Sequence, residues 1–175
     1  MRRTRTSRCG GGRSGFTLIE ACLAIIIVGV GIFAAMELFA VCTRQNAMAT
    51  RITVASMLAR NLEEVIVHLP LVDPIEGSET FGPEEGEALA NFDDVDDFHG
   101  FSSASVGVPV DSLLLPIPEL AQYEQQVTVT PVLASNLAVE TAGSDAVRVD
   151  VAVVWRRTPD DTPEPLFVAT WYRMR

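Results

Sequence analysis

Lysine, cysteine and histidine are scarce in this sequence, and their scarcity limits the kinds of covalent and metal site that the chain can form. Its 175 residues contain no lysine, three cysteines and two histidines. Cys22 and Cys42 lie twenty residues apart in an apolar segment, roughly 30 Å along a helix, which is beyond the reach of a disulfide. Because no cysteine follows Cys42 and the histidines are only His68 and His99, the sequence predicts neither a disulfide framework nor a zinc site.

Positive charge is scarce outside the first fifteen residues. Five of the thirteen arginines precede the first acid, Glu20, whereas the remaining 160 residues carry eight arginines against 23 acids, a formal charge of −15. So acidic a body repels nucleic acid, and the sequence predicts no nucleic-acid partner. The basic head suits the cytoplasmic face of a membrane, where positive charge is retained.

Residues 21–36 lack any charged residue, and the apolar run continues to Cys42 with Glu37 as its one interruption. A run of about 22 residues is long enough to span a bilayer and longer than a usual signal-peptide core. A small-residue cleavage pattern at residues 47–49 follows Arg44 and lies inside a helical periodicity. The sequence therefore predicts a membrane-spanning helix rather than an ordinary secretory signal peptide.

The residues just before the apolar run form a signature. Gly15-Phe16-Thr17-Leu18-Ile19-Glu20, after a short basic head and before a span, resembles the prepilin signature of type IV pilins and type II secretion pseudopilins. The resemblance extends over roughly residues 13–69. It implies cleavage between Gly15 and Phe16 by a prepilin peptidase on the cytoplasmic side, and N-methylation of Phe16 by the same enzyme.

The resemblance also implies an assembly role for Glu20. A carboxylate at the edge of a hydrocarbon layer is costly unless it is paired, and cleavage creates a cationic amine at Phe16. In the family, the corresponding glutamate satisfies the terminal amine of a neighbouring subunit, which restricts docking to one axial position. The alternative is that Glu20 lies in the headgroup layer beside the arginine head.

Residues 43–69 contain no proline or glycine, and Pro70 follows them. Their apolar residues recur at three- and four-residue steps, which predicts an amphipathic continuation of the membrane helix. The predicted stripe consists of Met48, Ile52, Ala55, Leu58, Leu62, Val65 and Leu69. Residues 55–64 are similar to the helix end of the minor pilin V / pseudopilin I subgroup.

Residues 70–120 are rich in proline, glycine and acids without a sustained period, which predicts an acidic variable loop region at the surface. Four carboxylates fall within five residues there: Asp93, Asp94, Asp96 and Asp97. They could ligate Ca²⁺ through oxygen, and no other cofactor is predicted. The alternative is a solvated acidic loop in which Phe92 and Phe98 are tucked into the core.

The last third of the chain alternates apolar and polar residues with a period of two. Strands are predicted over residues 126–132, 146–156 and 166–172, separated by turns at 141–145 and 158–165. Three consecutive strands with short connections predict an antiparallel sheet, one face of which packs on the helix stripe. The predicted fold class is therefore α+β, a long N-terminal helix on a small C-terminal sheet, and the pilin family has the same architecture.

The chain is thus predicted to have five segments. They are a basic leader that is cleaved (1–15), a transmembrane and assembly helix (16–42), its amphipathic continuation (43–69), an acidic variable loop region (70–120) and an antiparallel β-sheet (121–175). With the resemblance, they predict a non-enzymatic structural subunit, a minor pilin or pseudopilin. Its partners would be other pilins, the prepilin peptidase and the inner-membrane assembly platform. It would first lie in the bacterial inner membrane, single-pass with its C-terminal domain extracytoplasmic, and then in a fibre.

Three other interpretations are open at this point. A static single-pass membrane protein with a binding domain outside would stay evenly distributed in the membrane. An anchored hydrolase would use the cluster at residues 93–97, although no nucleophile or base accompanies it, and Asp94→Ala would abolish its activity. A competence-type pilus would take up DNA, although the charge of the body argues against contact between this subunit and DNA.

Overall fold

The computed structural model describes residues 15–71, 81–84, 86–158 and 161–174. The predicted leader lies outside these residues except for Gly15, as do residues 72–80 of the predicted loop region. The chain divides after Asn46 into two compact units. The described part of the first unit is helical beyond Thr17, and the second unit carries the sheet.

One helix, α1, runs from Leu18–Ile66 without a break. It passes through Gly29 and Gly31, although glycine costs about 1 kcal/mol in a helix interior relative to alanine. The predicted end at residue 69 is wrong by three residues. After Ile66 the chain tightens into bonds of the 3₁₀ type, from His68 N–H to Val65 O at 3.2 Å and from Leu69 N–H to Ile66 O at 3.3 Å.

All described residues of the first unit are exposed. The helix there is apolar on every side, and large side chains such as Leu18, Phe33 and Phe39 are at least two-thirds exposed. Its length and composition are sufficient for crossing a membrane. The predicted membrane segment at residues 16–42 is therefore a candidate membrane span.

Four antiparallel strands form one sheet in the order β2-β1-β3-β4. They are β1 Tyr123–Leu133, β2 Asn136–Glu140, β3 Ala146–Trp155 and β4 Glu164–Met174. The three predicted strands correspond to β1, β3 and β4, but the predicted number is wrong. Strand β2 lies at the sheet edge and is almost entirely exposed, so its sequence lacks the alternation that burial of one face imposes.

The core lies between the sheet and the second half of α1. Cross-strand valine pairs, Val127 with Val151 and Val129 with Val149, form the centre of the inner face. Against them lie the buried helix residues Ala55, Leu58, Ala59, Leu62 and Ile66. The predicted packing of the sheet on the stripe is confirmed at Ala55, Leu58 and Leu62. Val65 and Leu69 are only partly buried, and Met48 and Ile52 stay 37% and 40% exposed.

The predicted loop region contributes to the same core. It contains no described strand or α-helix, only 3₁₀ turns at Leu89–Asn91, Asp96–Phe98, Ser103–Ser105 and Pro118–Leu120. Its buried hydrophobic residues include Val95, Phe98, Phe101 and Val110. Phe98 contacts Phe92 edge-on at 5.0 Å between ring centroids. The predicted anchoring of the loop region by Phe92 and Phe98 is confirmed. The prediction that residues 70–120 form only a surface connection is wrong, because several of these residues are buried in the core.

Gln125 joins three parts of the second unit. Its side chain is fully buried, and its Oε1 accepts a hydrogen bond from Val110 N–H at 2.7 Å. Its Nε2 donates to Val110 O at 3.0 Å and to Leu58 O at 2.9 Å. One amide therefore links β1, the loop region and the second half of α1.

Arg173 on β4 satisfies the end of α1. Its Nη1 donates to Ile66 O at 2.8 Å and to Leu69 O at 2.7 Å, at the end of the helix, where backbone carbonyls lack the usual helical donors. We expect Arg173→Ala to lower the free energy of unfolding by about 1.5–3 kcal/mol, as for other hydrogen bonds to charged groups. Denaturant unfolding of the full chain in detergent would measure this change. Arg157→Ala, which removes an exposed arginine, is the control, and equal losses in both variants would contradict the capping role.

Candidate functional site: the helix start and the acidic cluster

The hexamer at residues 15–20 lies at the start of α1. Thr17 is the N-cap, because its Oγ1 accepts a hydrogen bond from Glu20 N–H at 3.4 Å and its carbonyl accepts from Ala21 N–H at 3.1 Å. The sequence analysis missed this role. The pattern of threonine followed three residues later by glutamate, just before an apolar run, is a capping-box signal that could have revealed it.

The predicted cleavage bond lies just outside the helix. Gly15 and Phe16 belong to no helix or strand and are exposed, Phe16 by 74%. Proteolysis concentrates in such accessible backbone near an element terminus. The helix start at Leu18 therefore leaves the bond between Gly15 and Phe16 available to a peptidase.

Glu20 lies in the first turn of α1, four residues after Phe16. The N-terminus of a helix carries a partial positive charge, which stabilises a carboxylate and destabilises an amine placed there. The ion pairs among the described residues are formed by Arg148 and Arg156, and Glu20 takes part in none of them. An amine created at Phe16 would thus gain from a carboxylate, and the exposed Glu20 side chain can supply one to its own or a neighbouring chain.

No family model, curated protein or solved structure matches this chain. The resemblance to pilins therefore rests on the hexamer at residues 15–20 and on the helix that continues from it. The α+β architecture agrees with the resemblance, since a long helix packs on a small antiparallel sheet.

A second candidate site is the acidic cluster, the carboxylates of Glu84, Glu87, Asp93, Asp94 and Asp97. Asp94 and Asp97 are only 4% and 2% exposed. Asp97 Oδ2 accepts from Asp93 N–H at 2.9 Å, and Asp94 Oδ1 accepts from Asp96 N–H at 2.8 Å. Each buried carboxylate thus receives backbone hydrogen bonds from its neighbours, which offsets part of the cost of burying it.

The structure brings together three of the four predicted calcium ligands. Carboxylate oxygens of Asp93, Asp94 and Asp97 all lie within 4.8 Å of one another. Asp96 lies outside this group, and its Oδ2 accepts from Gly82 N–H at 2.9 Å. The fold thus engages the Asp96 carboxylate with the backbone of Gly82, and its role as a Ca²⁺ ligand stays a prediction.

Two further acids join the cluster without having been predicted. Glu84, Glu87 and Asp97 form a second group with oxygens within 4.8 Å. No sequence spacing marked the two glutamates, because the chain folds back between them and the aspartates. Carboxylate oxygens suit Ca²⁺, and binding of Ca²⁺ by the predicted aspartates stays a prediction.

Negative charge in the acidic cluster is costly at neutral pH. Burial, followed by the hydrogen bond and charge of Asp96, raises the pKa of Asp94 to about 7. Burial and the neighbouring Glu84 carboxylate also raise the pKa of Glu87. A proton or a cation at this cluster would relieve the repulsion.

Asp94→Asn is expected to stabilise the metal-free protein at pH 8. The folded pKa of about 7 exceeds the unfolded value, so the folded state binds more protons and stability falls as pH rises from about 4 through 7. Asparagine keeps the Oδ1 acceptor without the charge, and we expect a gain on the order of 1–3 kcal/mol at pH 8 and a flatter profile from about pH 5 to 8.

Thermal unfolding with a chelator present would measure this effect. The matched control is Asp145→Asn, which removes an exposed carboxylate. Lower stability of Asp94→Asn than of the parent at pH 8 would show that the charged form is favoured in the fold.

Glu124 forms a separate buried polar group on β1. Its Oε1 accepts from Ser102 Oγ and Gln126 Nε2, both at 2.7 Å, and its Oε2 pairs with Arg156. Burial alone would raise the pKa of Glu124, but these hydrogen bonds and the arginine charge hold it below its usual range. A carboxylate held ionised in this way is structural rather than poised to act as a general acid.

Proposed function

We propose that this chain is a non-enzymatic structural subunit of a type IV pilus or a type II secretion pseudopilus, processed by a prepilin peptidase and assembled through α1. One observation carries the proposal. The hexamer at residues 15–20 lies at the start of a helix whose described residues up to Asn46 are all exposed. A processing signature and an uncovered apolar helix are therefore adjacent.

An uncovered apolar helix needs a surrounding medium. A helix that is apolar on every side is stable only in lipid or among other helices. A bilayer supplies the first environment before assembly, and helices of other subunits supply the second within a fibre. The same segment can thus serve at both stages.

Glu20 favours a fibre subunit over a static anchor. In a plain anchor a first-turn carboxylate gains only the local helix-dipole interaction, and it resists entry into hydrocarbon. A subunit with a free amine at Phe16 gains a partner for the amine, and burial of either charge unpaired costs several kcal/mol. In the proposed mechanism this penalty sets the axial position at which a subunit docks.

The sheet-bearing unit would face outward, on the extracytoplasmic side of the bacterial inner membrane before assembly. We propose other pilins or pseudopilins, the prepilin peptidase and the inner-membrane assembly platform as partners. Nucleic acid is not among them, since the chain beyond residue 15 carries a formal charge of −15.

The N-terminus of the native protein tests the proposal. We expect the intact mass and the N-terminal peptide mass of the membrane-extracted protein to show a chain that begins at N-methylated Phe16. The same chain expressed without a prepilin peptidase is the control and should begin at Met1. A native chain beginning at Met1 would instead support a static anchor, and one beginning at Thr50 would indicate a secreted domain.

A further inference from the structure

Two of the exposed apolar surfaces of the second unit are formed by the loop region and by α1. The first is the leucine loop, residues 110–116, where Leu113 and Leu115 are 75% and 55% exposed. Its two ends pair as a short antiparallel bridge between Val110 and Pro116. Asp111 N–H donates to Leu115 O at 2.9 Å and closes the loop.

The leucine loop is held in one conformation. Asp111 Oδ1 accepts from Leu113 N–H at 2.8 Å and from Leu115 N–H at 2.9 Å. Leu114 between them has a φ of 59°, unusual for a residue with a side chain, and packs against the core. Because the loop is fixed in advance, Leu113 and Leu115 lose little conformational entropy when they bind a partner.

The second surface is the stripe end, Met48 and Ile52 on α1. Both residues continue the face that the sheet covers from Ala55 onward, but they are 37% and 40% exposed. Arg51 lies beside them and stacks on Trp155, with its guanidinium carbon 3.8 Å from the ring centroid. The stripe end is therefore apolar with a cation at its border.

The charges around these two surfaces are complementary. Asp111 and Glu119 accompany the leucine loop, whereas Arg51 accompanies the stripe end. Contact between two leucine loops would bring like charges together, and insertion of the loop into a bilayer would carry its acids towards hydrocarbon. Contact between a leucine loop and a stripe end avoids both costs.

We propose that the leucine loop of one copy of this chain docks on the stripe end of a second copy. This inference rests on the proposed function and names one lateral contact of the fibre. Because one surface belongs to the loop region and the other to α1, the contact can repeat from copy to copy as a heterologous one, and such contacts generate open helical arrays when they do not close into a ring.

Cysteine crosslinking in cells tests the contact. In a full chain whose native cysteines are replaced by serine, Leu113→Cys and Met48→Cys are introduced into two differently tagged copies that are expressed together. A short bismaleimide should yield the mixed dimer, and one chain carrying both substitutions should yield a ladder of multimers. A protease-resistance pattern equal to that of the parent would show that each variant folds.

A charge exchange tests the pairing independently of packing. Arg51→Glu in the Met48→Cys copy should abolish the mixed crosslink, and Glu119→Arg in the Leu113→Cys copy should restore it. The control is Arg60→Glu, which changes an exposed arginine of the same helix and should leave the crosslink unchanged. Failure of Glu119→Arg to restore the crosslink would contradict the charge pairing.

The outcomes separate this contact from the proposed function. Dimers of two Leu113→Cys copies, joined through their leucine loops, would mean a symmetric contact, and a crosslink to a protein of different mass would mean another occupant; either overturns the inference. Fibres of chains beginning at Phe16 without the mixed crosslink also overturn it and leave the proposed function intact. A mixed crosslink among chains beginning at Met1 supports the contact and contradicts the proposed function.

Discussion

Glu20→Ala is expected to leave cleavage after Gly15 intact and to abolish incorporation into a fibre. Cleavage is unaffected because the peptidase acts on the exposed backbone ahead of Leu18, outside the helix that holds the substituted side chain. Incorporation fails because the amine at Phe16 loses its partner. Leaving one charge of a buried pair alone costs about 3–5 kcal/mol, which corresponds to more than about a hundredfold loss of incorporation.

Fibres sheared from cells and probed for the subunit would measure incorporation, and the N-terminal peptide mass would measure cleavage. Glu37→Ala is the matched control, because it removes another exposed acid from the same helix and should incorporate normally. Normal fibre levels of Glu20→Ala would mean that Glu20 only occupies the headgroup layer.

Gln125→Leu is expected to destabilise the second unit by about 3 kcal/mol. Leucine is close to glutamine in volume but leaves Val110 N–H and Val110 O without the partners that Gln125 supplies. Each buried polar group left unsatisfied costs about 1–3 kcal/mol. The bond to Leu58 O is lost as well, so the connection between the loop region and the helix is weakened.

Denaturant unfolding of the full chain in detergent would measure this loss. Gln126→Leu is the matched control, since Gln126 is the next residue of β1, lies partly exposed, and donates to Glu124. We expect its cost to stay below about 1 kcal/mol. A similar cost for both variants would show that the contacts of Gln125 with Val110 and Leu58 are not what stabilises the fold.

Periodicity predicted the parts of the fold that a buried face imposes on the sequence. The alternating valines of β1 and β3 and the apolar steps of residues 55–66 each reflect one such face. Strand β2 was not predicted, because a strand at an exposed sheet edge does not require alternating apolar residues. The burial of Val95 and Val110 was not predicted, because it depends on tertiary contacts in a segment without regular secondary structure.

The residues of the candidate site also divide into those with a local sequence signal and those that only the fold brings together. Gly15, Phe16 and Glu20 were found because their signature is local in the sequence. Thr17 has an equally local signal, the capping pattern that it forms with Glu20, but its role was not predicted. Glu84 and Glu87 could not have been found from spacing, since only the folded loop brings their oxygens near Asp97.

The bonds from Arg173 to Ile66 and Leu69 span 107 and 104 positions. A ribosome adding roughly 5–20 residues per second produces the arginine about 5–20 s after the helix end that it caps. The apolar half of the helix is synthesised earlier still, so membrane insertion can begin while the sheet is incomplete. Contacts of such long sequence separation also form late in folding. The second unit therefore cannot complete its fold until β4, its last strand, has been synthesised.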